Sequence, residues 1–419
     1  MTGLGELRSA MPVDATVGNV SDYRHSVWVG SVDIHNLSPD RDLRLEGGSR
    51  FGLARLLIWE DASVRGFVEL AVVEGCVAAR DLERAIAELP MTPRYLTNGT
   101  PMPISVIVCT RDRPDDLARS LAYLASIEYQ NFEIVVVDSS SRTRATRDVV
   151  ESLNLNKIRY LRLDLPGLAR ARNAGAEVAE YDCLAFTDDD TIVDKRWLAA
   201  LNDGFAAASD VGCVTGLVAS GQLVSESQHY FDRRVTWARN IKQTIFRLDE
   251  PPEGVPLFPF QFGAYGTGAN FAIKRSLLRT LGGFDNALGV GSPTGSGEDT
   301  DLFIRVVLSQ HAIVYQPNAV VWHKHRIDAD ALATQLENYG VGLGAVLAKL
   351  VCNPKARRLM GPLAIGGTLH ALKMVRVSDR AGEMPGGSKH SLKELRGIMR
   401  GPWALRRARR ADAARGKMS

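Results

Sequence analysis

Between Ile104 and Asp190 the chain alternates apolar runs with helical patterns, and this alternation restricts the fold more than any other feature. "ISVIVCT", "FEIVVVDSS", "IRYLRLD" and "CLAFTDDD" read as four strands. "PDDLARSLAYLAS", "RATRDVVESLN" and "LARARNAGAEVAE" between them place apolar residues at helical spacing. The first two strand runs are continuously apolar, as expected where both faces of a sheet are covered. Strand and helix in strict rotation imply a mostly parallel sheet flanked by helices, an α/β fold. Such sheets bind ligands beyond the carboxyl ends of their strands. The polar residues that stop the apolar runs fall at those ends: Thr110, Arg111 and Asp112, then Asp138, then Asp188, Asp189 and Asp190.

With 419 residues, two or three domains are expected. A hydrophobic share of 45% and a charged share of 24% are ordinary for a globular chain with a sizeable core. Five scattered cysteines without a CxxC pair suggest reduced thiols in a cytoplasmic protein. No apolar signal core opens the sequence, and no apolar run reaches spanning length. Residues 1–25 are expected to be disordered. Residues 26–98 read as a small β-rich domain closed by the helix "AARDLERAIAELP", and "MTPRYLTNGTPMP" reads as a linker.

The net charge of +3 conceals an imbalance. Residues 351–419 hold 16 Lys and Arg against 4 Asp and Glu, a surplus of 12, which leaves the remainder at −9. The overall charge gives no reason to expect a nucleic-acid partner. The tail, however, interleaves Leu, Ile, Met and Trp with Arg in "SLKELRGIMRGPWALRRARR", a pattern suited to an anionic membrane surface. A solvated tail or an oligomer contact would use the same residues, and the sequence does not fix the oligomeric state.

Two acidic clusters carry the chemistry. On an extended strand Asp188 and Asp190 share a face and Asp189 turns to the other. Two hard oxygen donors at a strand end suit Mg²⁺ or Mn²⁺. The competing reading is a helix start, with Asp190 or Thr191 capping "VDKRWLAALNDGF". In the second cluster a glycine-rich loop, Gly289 to Gly297, leads into Glu298, Asp299 and Asp301 in the first turn of an apolar helix. Capping accounts for one or two acids there and less comfortably for three.

The ordered set "SVIVCTRDRP", "EIVVVDSSS", "GLARARNAG", "FTDDD", "GTGANFAIKR", "LGGFD", "GEDTDLFIRVV" and "WHKHR" resembles the family 2 glycosyltransferases over residues 103–330. The resemblance implies a GT-A, Rossmann-like fold, with residues 331–419 left as a basic helical extension. It implies a nucleotide-sugar donor, UDP-sugars being favoured, and a glycan or lipid-linked acceptor in cell-envelope synthesis. The enzyme would work in the cytoplasm, at the inner face of the membrane if the basic tail makes peripheral contact. It assigns Asp190, Asp188 and His323 to a divalent metal, with His325 second to His323. It assigns Thr110, Asp112, Asp138, Arg172, Asn173, Asp188, Asp189 and Gly268 to donor binding. Asp299 becomes the catalytic base of an inverting transfer, with Glu298 orienting the acceptor or the loop. One departure is Arg111-Asp112 where Tyr-Asn is more usual. Two other classes remain at this stage. A nucleotidyltransferase would use the same acidic ligands, but wants a glycine-rich loop where "CTRDRPDD" stands. A non-catalytic scaffold would have no need of Asp188, Asp190 and Asp299.

Overall fold

A computed structural model describes residues 7–11, 25–91, 100–363 and 387–415. The expected disordered amino terminus, most of the linker before Pro101 and the segment ahead of Gly387 therefore lie largely outside the described residues.

The first unit contains β1 (Val27–Asp33), β2 (Leu43–Arg44), β3 (Leu53–Glu60), β4 (Ser63–Ala71), β5 (Cys76–Val77) and helix α1 (Ala79–Ala87). Strands β1, β3 and β4 form a three-stranded sheet, with β1 parallel to β3 and β4 antiparallel to it, while β2 pairs with β5. Chain order then gives β6 (Ile104–Thr110), α2 (Pro114–Ala125), β7 (Phe132–Ser139), α3 (Ala145–Leu153), β8 (Ile158–Leu163), α4 (Leu168–Val178), β9 (Cys183–Asp188), β10 (Thr191–Val193) and α5 (Trp197–Ala206). There follow β11 (Val211–Ser220), α6 (Glu226–Arg234), β12 (Thr244–Phe246), β13 (Asn270–Lys274), α7 (Arg275–Thr280), α8 (Glu298–Leu308), β14 (Ala312–His323) and α9 (Ala329–Cys352). A last long helix, α10, spans Gly387–Arg415.

These strands build a nine-stranded sheet in the order β10-β14-β11-β13-β9-β6-β7-β8, with β12 also paired to β14. The four strands read from the sequence, β9-β6-β7-β8, are all parallel. Strand β13 runs antiparallel between β9 and β11, and so joins a second parallel pair, β11 and β14, to the first.

Period-two alternation explains how the sheet is covered. In β6, Ile104, Val106 and Val108 face Leu117, Leu121 and Leu124 of α2 and Trp197 and Leu201 of α5. Ile107 and Cys109 face the opposite layer, built by α4, α8 and α9. Helix α2 opens on Pro114 with Asp115 and Asp116 in its first turn, a favourable combination for a helix amino terminus. Each fully buried Leu or Val contributes roughly 1.5–3 kcal/mol relative to exposure, so both layers matter to stability.

Helix α4 lies unusually close to the sheet. A Cβ on Gly175 would sit 2.6 Å from Ile107 Cγ2 and 3.0 Å from Val137 Cγ2. Ala169, Ala171 and Ala176 on the same face are also buried. Small residues thus bring Arg172, one turn before Gly175, against the strand ends.

The amino-terminal unit shares a core with the large sheet. Val27, Val29, Leu57, Trp59 and Val64 pack with Ile192, Leu217, Ala219, Val320 and Trp322. Arg55 reaches Asp232 at 2.8 Å, and Asn318 Oδ1 accepts from the Val64 N–H at 2.9 Å. Among the described residues no helix is long and apolar enough to cross a membrane.

Candidate active site

Strand β9 ends at Asp188, and after a two-residue turn β10 pairs antiparallel with β14, setting Thr191 opposite His323. The acidic triplet is therefore a strand-to-strand turn. The helix-start reading fails, because α5 begins at Trp197, six residues after Thr191. Thr191 Oγ1 donates to the Asp188 carbonyl at 2.7 Å and fastens the turn.

This turn and the end of β14 gather three candidate metal ligands. One donor atom from each of Asp188, Asp190 and His323 can be chosen so that all lie within 4.8 Å of one another. His323 Nε2 stands 3.3 Å from Asp190 Oδ1. Two carboxylate oxygens and one imidazole nitrogen form a donor set that suits Mn²⁺ or Mg²⁺. Burial alone would raise Asp190, but the His323 ring and the Arg113 guanidinium prevail and hold it well below the usual carboxylate range. Burial also disfavours a charged His323, yet the Asp190 carboxylate outweighs it and raises His323.

The second ring nitrogen of His323 is also engaged. Its Nδ1 lies 3.1 Å from Nδ1 of His325. Burial first, then the neighbouring His323, push His325 down to about 3, so it is neutral at neutral pH and can accept there. Its Nε2 is buried with no hydrogen-bond partner among the described residues. The His325 ring lies against Phe231, with centroids 4.5 Å apart.

Asp189, the first residue of the turn, is left out of the ligand set. Thr110 Oγ1 donates to Asp189 Oδ2 at 2.7 Å, and Arg113 Nη1 bridges Asp189 Oδ1 at 3.2 Å and Asp190 Oδ2 at 2.9 Å. Burial, then Asp190, push Asp189 up to about 7. Asp189 thus ties the ends of β6 and β9 together. Asp138 is fully buried. It accepts from the Ser141 N–H at 2.8 Å and from the Tyr160 hydroxyl at 2.7 Å. Asp112 takes a left-handed backbone (φ 55°) and accepts from the Arg142 N–H at 2.8 Å. The turn after β6 is consequently braced on the turn after β7.

The two acidic clusters meet at Arg172. Its guanidinium is buried and donates to Glu298 Oε1 at 2.9 Å, to Asp188 Oδ1 at 3.2 Å and to the Gly268 carbonyl at 2.9 Å. Gly268 in turn donates its N–H to Asp299 Oδ2 at 2.7 Å. The three acids of the first turn of α8 have separate duties. Glu298 holds Arg172, Asp299 faces Gly268, and Asp301 pairs with Arg305 and Lys349, each at 2.8 Å. Burial, then the adjacent Asp299, push Glu298 up to about 7.

Arg172, expected to bind the donor, turns Nη1 and Nη2 to protein acceptors. Asn173 likewise clamps the LGGFD turn, donating to the Phe284 carbonyl at 2.9 Å and accepting from the Phe284 N–H at 2.8 Å. Arg170 pairs with Asp412 of α10. The Gly289–Gly297 loop is already fastened: Thr294 is fully buried, and Ser292 Oγ donates to the Ala287 and Gly289 carbonyls. Sequence reasoning passed over Arg113, whose only signal was a second arginine just before the Pro114 helix start.

Residues 105–281 match the sequence model of the family described as Glycosyl transferase family 2. This segment is a family 2 glycosyltransferase domain. Among characterised proteins the chain is 25% identical over 293 residues to a pre-mycofactocin glycosyltransferase of Mycobacterium tuberculosis, covering 70% of this chain and 56% of that protein. It is 23% identical over 228 residues to a glucosyl-dolichyl phosphate glucuronosyltransferase of Haloferax volcanii, covering 53% and 69%. The chain thus spans little more than half the length of the first of these relatives. A solved structure of a mannosyltransferase from Pyrobaculum calidifontis in complex with GDP-Man and Mn²⁺ superposes with a TM-score of 0.48 at 18% identity, covering 73% of this chain and 90% of that one. The glycosyltransferase domain contributes β6 to β13 and the acidic turn. Asp299 and His323 reach the site from α8 and β14, beyond the matched residues.

Proposed function

We propose that the chain is an inverting, metal-dependent glycosyltransferase that moves a sugar from a nucleotide-diphosphate sugar to an acceptor hydroxyl. The observation that carries this reading is the continuous link from Asp188 through Arg172 and Gly268 to Asp299, which ties the proposed base to the three-ligand metal set. Asp188, Asp190 and His323 would hold the ion. A divalent ion there supplies a Lewis acid that neutralises the departing diphosphate.

The chain's own residues do the rest. Arg172 fixes the Asp188 carboxylate and the Gly268 backbone at once, so it is a positioning residue. Asp299 receives the acceptor proton as that oxygen attacks the anomeric carbon from the face opposite the diphosphate, which inverts the configuration. Glu298 locks Arg172 to the start of α8. Thr110, Asp112, Asp138 and Asp189 shape the two turns that cradle the nucleotide, and Asn173 steadies the LGGFD turn beside them.

UDP-sugars are the favoured donors, and a glycan or lipid-linked saccharide of the cell envelope is the favoured acceptor. The dolichyl phosphate in one relative's name supports a lipid-linked acceptor, and the basic tail supports work at the inner face of the membrane. A thermal-shift panel of UDP-, GDP- and dTDP-sugars with and without Mn²⁺ tests the reading. At least one donor should raise Tm only with metal, Asp190→Asn should abolish that rise, and Asp299→Asn should keep it while transfer falls about 10²–10⁴-fold. The reading is wrong if no nucleotide sugar shifts Tm, or if Asp299→Asn turns over normally.

A further inference from the structure

The contact between α9 and α10 is made at the backbone. A Cβ on Gly340 or Gly344 of α9 would collide with the Glu394 or Ile398 carbonyl oxygen of α10. A Cβ on Gly397 would meet Val341 N at 2.9 Å, and one on Gly401 would meet the backbone of Gly344 and Ala345. Leu405 and Ala408 continue the buried side. Glycine against glycine allows no roll of one helix on the other, so the rotation of α10 about its axis is fixed. Arg234–Glu394 near one end and Arg170–Asp412 near the other fix its direction.

The face turned outward is apolar and basic together. Leu392, Leu395, Met399 and Trp403 follow spacings of three, four and four, and so form one stripe. Met399 is 66% and Trp403 67% exposed. Contiguous apolar side chains so exposed mark a contact surface. Lys393, Arg396, Arg406, Arg407 and Arg410 lie on or beside the stripe, exposed, with no carboxylate partner among the described residues. A cleft of about 380 Å³ between the helices is lined by Glu337, Lys393, Arg396, Met399 and Arg400, and within it Arg400 pairs with Glu337.

We propose that this face of α10 docks flat on a bilayer bearing anionic lipids. Cations aligned with Leu, Met and Trp match headgroup charge and the apolar layer beneath it. A nucleic-acid arm would use the cations alone and leave the stripe unexplained. The proposal deepens the membrane-side part of the proposed function, but it stands on the exposed face of α10 and on none of the transfer chemistry. Vesicle binding therefore fails or succeeds without deciding the transferase reading.

The test is flotation of the full chain with neutral phosphatidylcholine vesicles and with vesicles containing phosphatidylglycerol. The chain should float with the anionic vesicles only, and less as salt rises. Met399→Ser/Trp403→Ser and Arg396→Gln/Arg406→Gln/Arg407→Gln should each lower the partition coefficient at least about tenfold, since each cation near the surface is worth roughly a fivefold change. Because these side chains are exposed, Tm should not move. Brominated lipid should quench the wild-type chain, and Trp403→Phe should remove that quenching, a readout independent of the other variants. The proposal is overturned by absence of flotation, by flotation that neither variant weakens, or by retention on duplex DNA without vesicle binding.

Discussion

The Nδ1 atoms of His323 and His325 lie 3.1 Å apart, so one ring must donate and the other accept. For Nε2 of His323 to offer its lone pair to a metal ion held with Asp190, the proton of that ring must sit on Nδ1, and His325 is the acceptor that keeps it there. Outer partners of this kind set the tautomer and orientation of a ligating histidine. His325→Phe should therefore weaken Mn²⁺ binding by roughly 10–100-fold, measured by calorimetry or by the Mn²⁺ EPR signal. His325→Gln, whose carbonyl can still accept, should recover most of the loss. Equal Mn²⁺ affinity in His325→Phe and the wild type would show that His323 needs no such partner.

Gly268 sits between the two halves of the site, and its backbone serves both. A Cβ there would lie 2.9 Å from Arg172 Nη1, 3.0 Å from Arg172 Nη2 and 3.0 Å from Asp299 Oδ2. Both neighbours are held by buried bonds, so neither yields without moving the proposed base. Gly268→Ala should lower kcat by about 10²-fold, the scale expected for a misplacement near 1 Å. The metal-dependent thermal shift should fall less than kcat does, because of the three proposed ligands only Asp188 is tied to Arg172. Normal kcat in the alanine variant would mean that Asp299 has slack to move.

The sequence made the parallel half of the sheet legible because β6 and β7 are apolar on both faces, and that pattern has few other solutions. It also exposed Asp188, Asp190 and Asp299, since carboxylates at strand ends or before an apolar helix interrupt strong patterns. It did not show that Thr191–Val193 would pair with β14, because a three-residue strand has too short a period to read. Partner choice was equally hidden. Arg172 looks like a free cation on a helix start, and only the close approach of α4 through Gly175 turns it inward to Glu298. The β-rich character of residues 26–98 was visible, whereas the packing of Trp59 and Val64 on Val320 and Trp322 depends on contacts more than 250 residues apart.

Asp232 joins the amino-terminal sheet to α6. It accepts from Arg55 at 2.8 Å, from Ser220 Oγ at 2.7 Å and from Arg239 at 2.5 Å, with its side chain almost wholly buried. Burial would raise its pKa, but Arg55 first, with Ser220 and Arg239, holds it below the ordinary value. A carboxyl depressed in the folded state contributes stability that is complete above its unfolded pKa and lost as pH falls through the folded one. Melting curves should therefore show Tm falling below about pH 4 in the wild type, and less steeply in Asp232→Asn. At neutral pH the asparagine variant should be less stable, by at most about 3–5 kcal/mol, since it leaves buried Arg55 with only the half-exposed Glu69 as charge partner. A neutral-pH Tm equal to that of the wild type would show that Glu69, 2.7 Å from Arg55, suffices alone.

The glycine contact between α9 and α10 makes the basic helix a rigid part of the molecule, and this too can be tested. Gly344→Ala places a methyl against the Ile398 carbonyl, where backbone rather than a flexible side chain must give way. In the middle of α9 alanine is the better helix former by about 1 kcal/mol, so an isolated α9 would gain from the change. Any loss must therefore come from the interface. Hydrogen exchange should show faster amide exchange across residues 392–410 and unchanged protection in β6 and β7. Lys349, on the same helix and bonded to Asp285 and Asp301, should keep α9 itself in place. Unaltered exchange in α10 would mean that the two helices part and re-dock freely, and that the ion pairs at the ends of α10, rather than the glycines, hold it.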